Sequence, residues 1–403
     1  MPAETIGSAY VQLALAIDQH MPGYVDAFFG PLEWQDRAKA AGPRPHAELA
    51  RQASALAGAI ADSGTLDTQR KEFLARQVVA MQASVRLLQG ERMALADEAE
   101  ALYDVRPTWV EESLFEAAQR VLHDLLPPGD TLAERMALRK QALAISSEQA
   151  QLVLPLIHQQ LRNLSRARFP LPEDESISFA FVQNQPWMAY NWYLGGCRSR
   201  IEINTDLPLY VNELANLVAH EAYPGHHTEL AIKERRLAGQ AGRDELSLTL
   251  INAPSCVVSE GIATCALATV LSDEAWVAWH AEEIFPAVGL KRADAWREHM
   301  IDRALERLAG VYGNAAFLLH EHGAKVETVG SYLQRYGLLG EHEARKAIEF
   351  MSGPLDRAYI FTYDSGRQLL QALFAAKQER SYWFSRLLTE AVTPTHIRQW
   401  MHD

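Results

Sequence analysis

One acidic residue in an otherwise uncharged stretch restricts how this chain can fold. Residues 251–272 read INAPSCVVSEGIATCALATVLS and contain a single charged side chain, Glu260. The surrounding apolar residues predict a buried helix with Pro254 near its start. A buried carboxylate is costly unless it is paired, hydrogen-bonded or bound to a metal. Glu260 therefore needs a partner from another element, either an arginine in a structural salt bridge or a metal ion.

A histidine-rich stretch, HEAYPGHH at residues 220–227, offers such a partner. Upstream of it, apolar residues recur at the spacing of one helical face, which predicts a helix that runs into the motif. Polar residues 204–206 offer N-capping side chains, and Pro208 suits a first helical turn. The Pro-Gly pair at 224–225 then breaks or bends the helix.

The motif resembles the HExxH zinc motif, in which two histidines one helical turn apart hold the metal. It departs from that pattern at Pro224, four positions after His220, because proline cannot bind a metal. On a regular helix the sixth neighbour points about 120° away, and the seventh lies roughly 10 Å along the axis. Only a distorted helix brings a second histidine to the ion. We favour His226 over His227 as that histidine.

The predicted metal ligands are therefore His220, His226 and Glu260, with Zn²⁺ as the cofactor, although another divalent metal would suit the same residues. Two histidines and one glutamate leave zinc an open position for water, as in catalytic zinc sites. Glu221, next to a ligand in sequence, is the predicted general base. In the alternative interpretation, the histidines cap a helix end or are half-exposed polar residues.

Three segments together resemble a large bacterial family called domain of unknown function 885. They are HEAYPGHH, the SEG around Glu260, and a late Tyr-x-x-Gly from Tyr363 to Gly366, and the resemblance covers roughly residues 192–370. That family is similar to the gluzincin metallopeptidases, such as thermolysin, angiotensin-converting enzyme and thimet oligopeptidase. The resemblance implies a mostly helical fold around a deep cleft and a peptidase activity on short peptides. The chain departs from the family at Ile262 and Ala316, where an aromatic residue and an aspartate are usual.

Three further residues are candidates for the same cleft. Tyr363 and His320, placed across it from zinc, could stabilise the oxyanion of a tetrahedral intermediate. Helix capping is the alternative for His320 and for the nearby His322. Arg367 could anchor a substrate carboxylate, but we favour a salt bridge to Asp364.

The sequence predicts a mainly α fold with a small β-hairpin or sheet beside the metal-binding helix. The two predicted strands, 177–182 and 199–204, carry the one clear β signal. We divide the chain into an N-terminal helical region, 1–168, and a catalytic helical region, 169–403, within one compact unit. Predicted helices lie near 5–20, 47–62, 66–89, 92–103, 109–124, 131–164, 274–285, 291–322, 326–336, 341–350, 364–377 and 380–390.

The aromatic-rich segment 21–34, MPGYVDAFFGPLEW, interrupts the first helices. We interpret it as a loop packed into the helical core, with the wall of a pocket as the alternative. In gluzincins a strand beside the zinc helix pairs with an extended peptide, and the strands predicted here could do the same or be purely structural.

Composition excludes several functions. A net charge of −13 disfavours nucleic acid and anionic membranes as partners. Three cysteines are too few for a disulfide scaffold, and Glu4 lies where a signal peptide needs positive charge, so we predict a cytoplasmic protein. P-loop, Rossmann and GxSxG patterns are absent from the sequence.

The sequence as a whole predicts a zinc-dependent hydrolase of small peptides. The alternatives are a non-catalytic scaffold with a structural or vestigial metal site and a hydrolase of another amide or ester. Oligomeric state is not predicted.

Overall fold

The structure, a computed structural model, describes residues 5–185, 187–206, 208–353 and 355–402. It is mainly α, as predicted. The helices before the central sheet are α1 (Ile6–Asp18), α2 (Leu32–Ala41), α3 (His46–Asp62), α4 (Thr68–Leu88), α5 (Leu95–Tyr103), α6 (Glu112–Leu125), α7 (Leu132–Leu143) and α8 (Ser147–Arg166). Several of them start after an N-cap residue of the usual type; the Asp67 side chain caps α4 and the Ser146 side chain caps α8.

The helices after the sheet include the two that carry the motif. They are α9 (Val211–Glu221), α10 (His226–Lys233), α11 (Pro254–Val270), α12 (Asp273–Trp279), α13 (Phe285–Ala287), α14 (Ala295–Leu305), α15 (Gly310–His320), α16 (Val326–Gly337), α17 (Glu341–Met351), α18 (Ile360–Ala376), α19 (Arg380–Thr389) and α20 (Pro394–His402). Short π-helical segments follow α10 and α12, at Glu234–Gln240 and His280–Ile284. The sequence prediction missed α2 and α20, merged α7 with α8, and merged α14 with α15.

Seven strands form three small sheets in the described part of the chain. They are β1 (Val25–Phe28), β2 (Ala144–Ile145), β3 (Ser176–Val182), β4 (Ala189–Tyr193), β5 (Arg198–Asn204), β6 (Leu209–Tyr210) and β7 (Leu248–Leu250). The largest sheet has the order β3-β5-β4, with β3 parallel and β4 antiparallel to β5. β3 and β5 are the two predicted strands. They are not a hairpin with each other, because β4 lies between them in sequence and pairs with β5.

The start that we predicted for the helix carrying His220 was wrong. Asn204 belongs to β5, and its side chain donates hydrogen bonds to the carbonyl oxygens of Gln185 and Trp187 instead of capping a helix. Pro208 precedes the short strand β6, and α9 begins only at Val211. The polar residues 204–206 therefore close the sheet, a role that favours the same residue types as an N-cap.

Hydrophobic packing joins the N-terminal helices to the rest of the chain. One core joins α1, α3 and α4 to Leu248 and Leu250 of β7. A second core joins α5 and α6 to α14–α18. Both cores cross the boundary that we drew at residue 168, while the division itself remains a prediction.

The buried helix α11 lies at the centre of the molecule against α18 and α9. Two glycines allow α11 and α18 to cross closely. A Cβ atom at Gly261 would lie 2.7 Å from the carbonyl oxygen of Gly366, and one at Gly366 would lie 2.4 Å from that of Val257. Gly366 of the Tyr-x-x-Gly segment is therefore a packing residue, and its helix brings tyrosines close to Glu260.

Among the described residues, no single helix is both long and apolar enough to span a membrane; α11 and the segment 273–287, which lie at 72° to each other, reach the threshold only when taken together.

Candidate metal centre

The HEAYPGHH motif forms a sharp turn between two helices. α9 ends at Glu221 and α10 begins at His226. Between them, the Gly225 amide donates to the carbonyl oxygen of Ala219 at 2.9 Å. Gly225 has no substitute here, because a Cβ atom would lie 1.9 Å from the carbonyl oxygen of His220. The predicted interruption of the helix is thus confirmed, and it sets the relative position of the two histidines.

Three predicted ligands meet at this turn. The His220 Nε2 lies 3.5 Å from one Glu260 carboxylate oxygen, and the His226 Nε2 lies 3.7 Å from the other. The two imidazole rings are perpendicular, with centroids 4.8 Å apart. One donor atom from each of the three residues can be chosen so that all lie within 4.8 Å of one another. Within the described chain, this is the group of His, Cys, Asp and Glu side chains compact enough to hold an ion.

The geometry fits zinc. Ligand bonds of about 2.0 Å in a tetrahedron place donor atoms about 3.3 Å apart. The two nitrogen–oxygen separations here, 3.5 and 3.7 Å to different Glu260 oxygens, are slightly longer, and a set with one donor atom per residue lies within 4.8 Å. The Glu260 Oε2 is buried and has no hydrogen-bond partner. No arginine or lysine pairs with Glu260 among the described residues, which removes the salt-bridge alternative. A buried carboxylate with one unpartnered oxygen, each of whose oxygens lies near an imidazole nitrogen, is an arrangement that a divalent cation satisfies.

Surrounding side chains orient the three predicted ligands. The Tyr359 hydroxyl donates to the Glu260 Oε1 at 2.8 Å. The Ser259 hydroxyl donates to Glu229 at 2.6 Å, so its oxygen can accept the Nδ1 proton of His226, which lies 3.1 Å away. This chain of hydrogen bonds keeps the proton on Nδ1 and leaves the Nε2 lone pair of His226 free for a metal. Sequence reasoning missed Tyr359, Ser259 and Glu229.

Burial determines the protonation of the centre. It lowers the pKa of His226 to about 4, and together with the neighbouring His226 it lowers the pKa of His220 well below the usual value. Both imidazoles are therefore neutral near pH 7, as metal binding requires. Burial also raises the pKa of Glu260 to about 8, and the Tyr359 hydrogen bond only partly offsets it. A bound cation would reverse the direction for the carboxylate.

Glu221 lies beside the ligands without joining them. Its side chain is buried and lines the same cavity as His220 and Glu260. Burial, followed by the charges of Glu260 and Asp26, raises its pKa to about 8. The Asn191 amide on β4 donates to the Glu221 backbone carbonyl at 2.7 Å, which fixes the strand against the helix.

The cavity around the centre has a volume of about 520 Å³. Segment 21–34 and the β4 region supply one side of its wall: Gly23, Asp26, Phe29, Trp187, Ala189, Tyr190 and Asn191. Helices α10 and α11, together with α17, α18 and the residue before α18, supply further wall residues: Glu229, Lys233, Ser255, Cys256, Glu349, Phe350, Tyr359 and Tyr363. Segment 21–34 fits both interpretations in part: Tyr24 and Phe28 pack into the helical core, while Gly23, Asp26 and Phe29 line the cavity. β1 within it pairs with β7, and this pairing directs Asp26 to the cavity.

The remaining predicted residues separate into two groups. Tyr363 lines the cavity, and its ring packs against Tyr359 with centroids 5.4 Å apart. His320 is not part of the wall, because its Nε2 donates to the Met351 carbonyl oxygen at 2.8 Å. His322 stacks on Trp109. Arg367 pairs with Asp364 at 2.7 Å, the salt bridge that we favoured.

His227 faces away from the metal centre. It is fully buried and lies in hydrogen-bond distance of Ser199, at 2.8 Å, and Glu175, at 3.1 Å. His227 therefore belongs to a polar network separate from that of His220 and His226.

Comparison with known proteins identifies a fold and not a function. No family model and no curated protein sequence matches the chain. The putative lipoprotein from Colwellia psychrerythraea has a similar structure, with a TM-score of 0.52 and 14% identity over 88% of this chain and 66% of that one. A putative lipoprotein of unknown function from Shewanella oneidensis matches with a TM-score of 0.47 and 12% identity over 92% of this chain and 76% of that one.

The chain spans just under two thirds of the Colwellia protein, and at this identity the likeness shows the overall fold alone. The resemblance to domain of unknown function 885 and to the gluzincins remains a prediction.

Proposed function

We propose that this protein is a zinc-dependent hydrolase that cleaves short peptides. The observation that carries the proposal is the convergence of His220, His226 and Glu260 donor atoms within 4.8 Å, beside the buried carboxyl of Glu221. These three residues would hold Zn²⁺. When bound, zinc would supply Lewis acidity toward a scissile carbonyl and toward a water molecule.

The protein's own groups would carry the proton and the developing charge. The Glu221 carboxylate would take a proton from the attacking water and deliver it to the leaving amine nitrogen. The Tyr363 hydroxyl is available to donate to the carbonyl oxygen as its charge increases. Tyr359 is already committed to Glu260, so its role is to hold that ligand. His320 has no part in this proposal, because its ring nitrogen is hydrogen-bonded to the Met351 carbonyl oxygen outside the cavity wall.

The shape of the wall supports an extended substrate. β4 is an edge strand of its sheet, and residues 189–191 line the cavity next to Glu221. An edge strand offers backbone groups that can pair with a peptide. Peptide is therefore the proposed substrate, with another amide or an ester as the alternative. A cytoplasmic location remains a prediction.

Metal content and hydrolysis test the proposal together. Elemental analysis of untagged protein should find about one zinc per chain, and a peptide mixture analysed by mass spectrometry should show cleavage. The Glu221→Gln variant should keep its zinc and lose about 10²–10⁴-fold in rate. Glu213→Gln, at the other end of α9 and outside the cavity wall, is the matched control and should keep both.

Three results would contradict the proposal. Protein without bound metal would exclude the zinc site. Full activity of Glu221→Gln would exclude its role as general base. Cleavage of small esters but of no peptide would show the substrate class to be wrong.

A further inference from the structure

Asp26 is a carboxylate of the cavity wall that the metal centre does not use. One of its oxygens accepts a hydrogen bond from the Tyr190 hydroxyl, and the other lies 3.3 Å from the Thr249 hydroxyl. No lysine or arginine pairs with it in the described parts of the chain. Two hydroxyl donors orient the carboxylate but leave its negative charge uncompensated. A partly buried charge of this kind is costly unless a cation reaches it.

Two other carboxylates on the same wall are compensated by a protein cation. Glu245 pairs with Arg70 at 2.7 Å, and Glu229 pairs with Lys233 at 2.6 Å. The wall is thus neutralised at these points by the protein itself. Asp26 differs from them in lacking a protein cation.

Two amide oxygens on the wall also lack a donor. The Asn191 Nδ2 donates to the carbonyl oxygen of Glu221, which orients the amide and leaves its Oδ1 buried without a partner. Gln77 is 2% exposed, donates to Ser255, and has an unpartnered Oε1. Both residues line the cavity. Unpaired buried acceptors are uncommon, and together they indicate a ligand that brings hydrogen-bond donors.

Aromatic rings frame the same position. Tyr190, which donates to Asp26, packs against Trp187 with ring centroids 5.6 Å apart, and both line the cavity. Aromatic faces next to a carboxylate favour a cation through the negative charge of the ring face. Tyr190 is also the neighbour of Asn191, whose side chain holds the backbone of the proposed general base, Glu221. Adjacent residues of β4 therefore contact Asp26 and Glu221, and both acids line the same cavity.

We propose that Asp26 binds the ammonium group of the peptide substrate, assisted by the unpartnered amide oxygens of the wall. This inference rests on the proposed function and specifies its substrate class: peptides that carry a positive charge close to the scissile bond. The ammonium can come from a free N-terminus or from a lysine side chain. The first source would make the protein an aminopeptidase-like enzyme.

Binding to an inactive variant tests this inference apart from hydrolysis. Zinc-loaded Glu221→Gln protein is titrated with tetra-alanine, with N-acetyl-tetra-alanine, and with N-acetylated tetrapeptides containing either lysine or norleucine. We expect at least a tenfold tighter Kd for one ammonium-bearing peptide over its neutral counterpart. In the double variant with Asp26→Asn, which keeps an oxygen acceptor for Tyr190, that difference should shrink to less than about twofold.

Asp356→Asn is the matched control, because Asp356 lies on the wall and also lacks an ion pair among the described residues. It should leave the difference unchanged. Preference for the free N-terminus assigns that source, and preference for lysine over norleucine assigns the side chain. Equal binding of charged and neutral peptides would overturn the inference, as would a difference that Asp26→Asn leaves intact. Hydrolysis by the wild type is measured separately, so failure of the proposed function would be recognised as such.

Discussion

Two buried glutamates, each facing one of the adjacent histidines 226 and 227, have opposite environments. Glu175 accepts hydrogen bonds from the Tyr223 hydroxyl, at 2.5 Å, and from the Arg162 guanidinium, at 2.8 Å, and it contacts His227. Burial opposes its ionisation, but the hydrogen bonds from His227, Tyr223 and Arg162 outweigh burial and lower its pKa to about 2.

Glu260 has the Tyr359 hydroxyl as its one hydrogen-bond donor among the described residues, and one of its oxygens has no partner. Burial therefore dominates and raises its pKa to about 8. The comparison teaches that a buried His–Glu pair can belong to a structural network whose polar atoms are all hydrogen-bonded, or to a site that leaves a polar atom free for a ligand. Completeness of hydrogen bonding distinguishes them, since natural interiors seldom leave such groups unpaired.

The largest expected effect separates the two histidines. His226→Ala should reduce zinc content from about one per chain to nearly none and abolish hydrolysis, because a ligand is lost. His227→Ala should retain zinc but lower the free energy of unfolding by about 3–5 kcal/mol, because it breaks a buried pair. Elemental analysis and urea unfolding of the two variants check this. Zinc loss in His227→Ala alone would reverse our assignment.

The two glutamates should differ in the stability of metal-free protein. Glu175→Gln removes a fully buried carboxylate that bonds to the half-buried Arg162 and to the more exposed Arg166, so unfolding free energy should fall by about 2–3 kcal/mol. Glu260→Gln removes a carboxyl that has no cationic partner, and we expect a change within about 1 kcal/mol. Urea unfolding in the presence of a chelator measures both. Equal losses of unfolding free energy in the two variants would contradict the difference between the environments of Glu175 and Glu260.

The two tyrosines beside Glu260 should separate metal holding from catalysis. Tyr363→Phe should slow hydrolysis by roughly 10²-fold, about 3 kcal/mol, with zinc affinity unchanged. Tyr359→Phe should instead weaken zinc binding by about 10–100-fold, since it removes the hydrogen bond to a ligand. Kinetics at saturating zinc and a competitive chelator titration distinguish these outcomes. Weaker zinc binding in Tyr363→Phe and slower hydrolysis in Tyr359→Phe would show that the two tyrosines have the opposite roles.

The smallest expected effect is a pH dependence of stability. The pKa of Glu175 is lowered from 4.5 to about 2 on folding, so the unfolded chain binds more protons in that interval. The stabilisation from Glu175 is present above pH 4.5 and is lost as pH falls toward 2. The difference in unfolding free energy between wild type and Glu175→Gln should therefore narrow from pH 5 to pH 3. A constant difference would show that Glu175 is not stabilised as an ion.

Much of the secondary structure could be predicted because it depends on local periodicity. The predicted helices near 47–62 and 66–89 match α3 and α4 within two residues at each end. Errors occurred where one residue type serves two purposes, as at Asn204, which closes a sheet where a helix cap was expected. The short strands β1 and β7 were missed, since each is stabilised mainly by its distant partner.

By itself, the sequence determined that a lone acid in an apolar helix needed a partner and that Pro224-Gly225 would interrupt the motif helix. Those conclusions follow from the cost of burying charge and from the geometry of proline and glycine. Only the tertiary structure decided that His226, and not His227, faces Glu260, that Tyr359 holds this acid, and that Asp26 reaches the same cavity. These relations join residues far apart in sequence, and close packing of distant elements, which no local pattern encodes, brings them together.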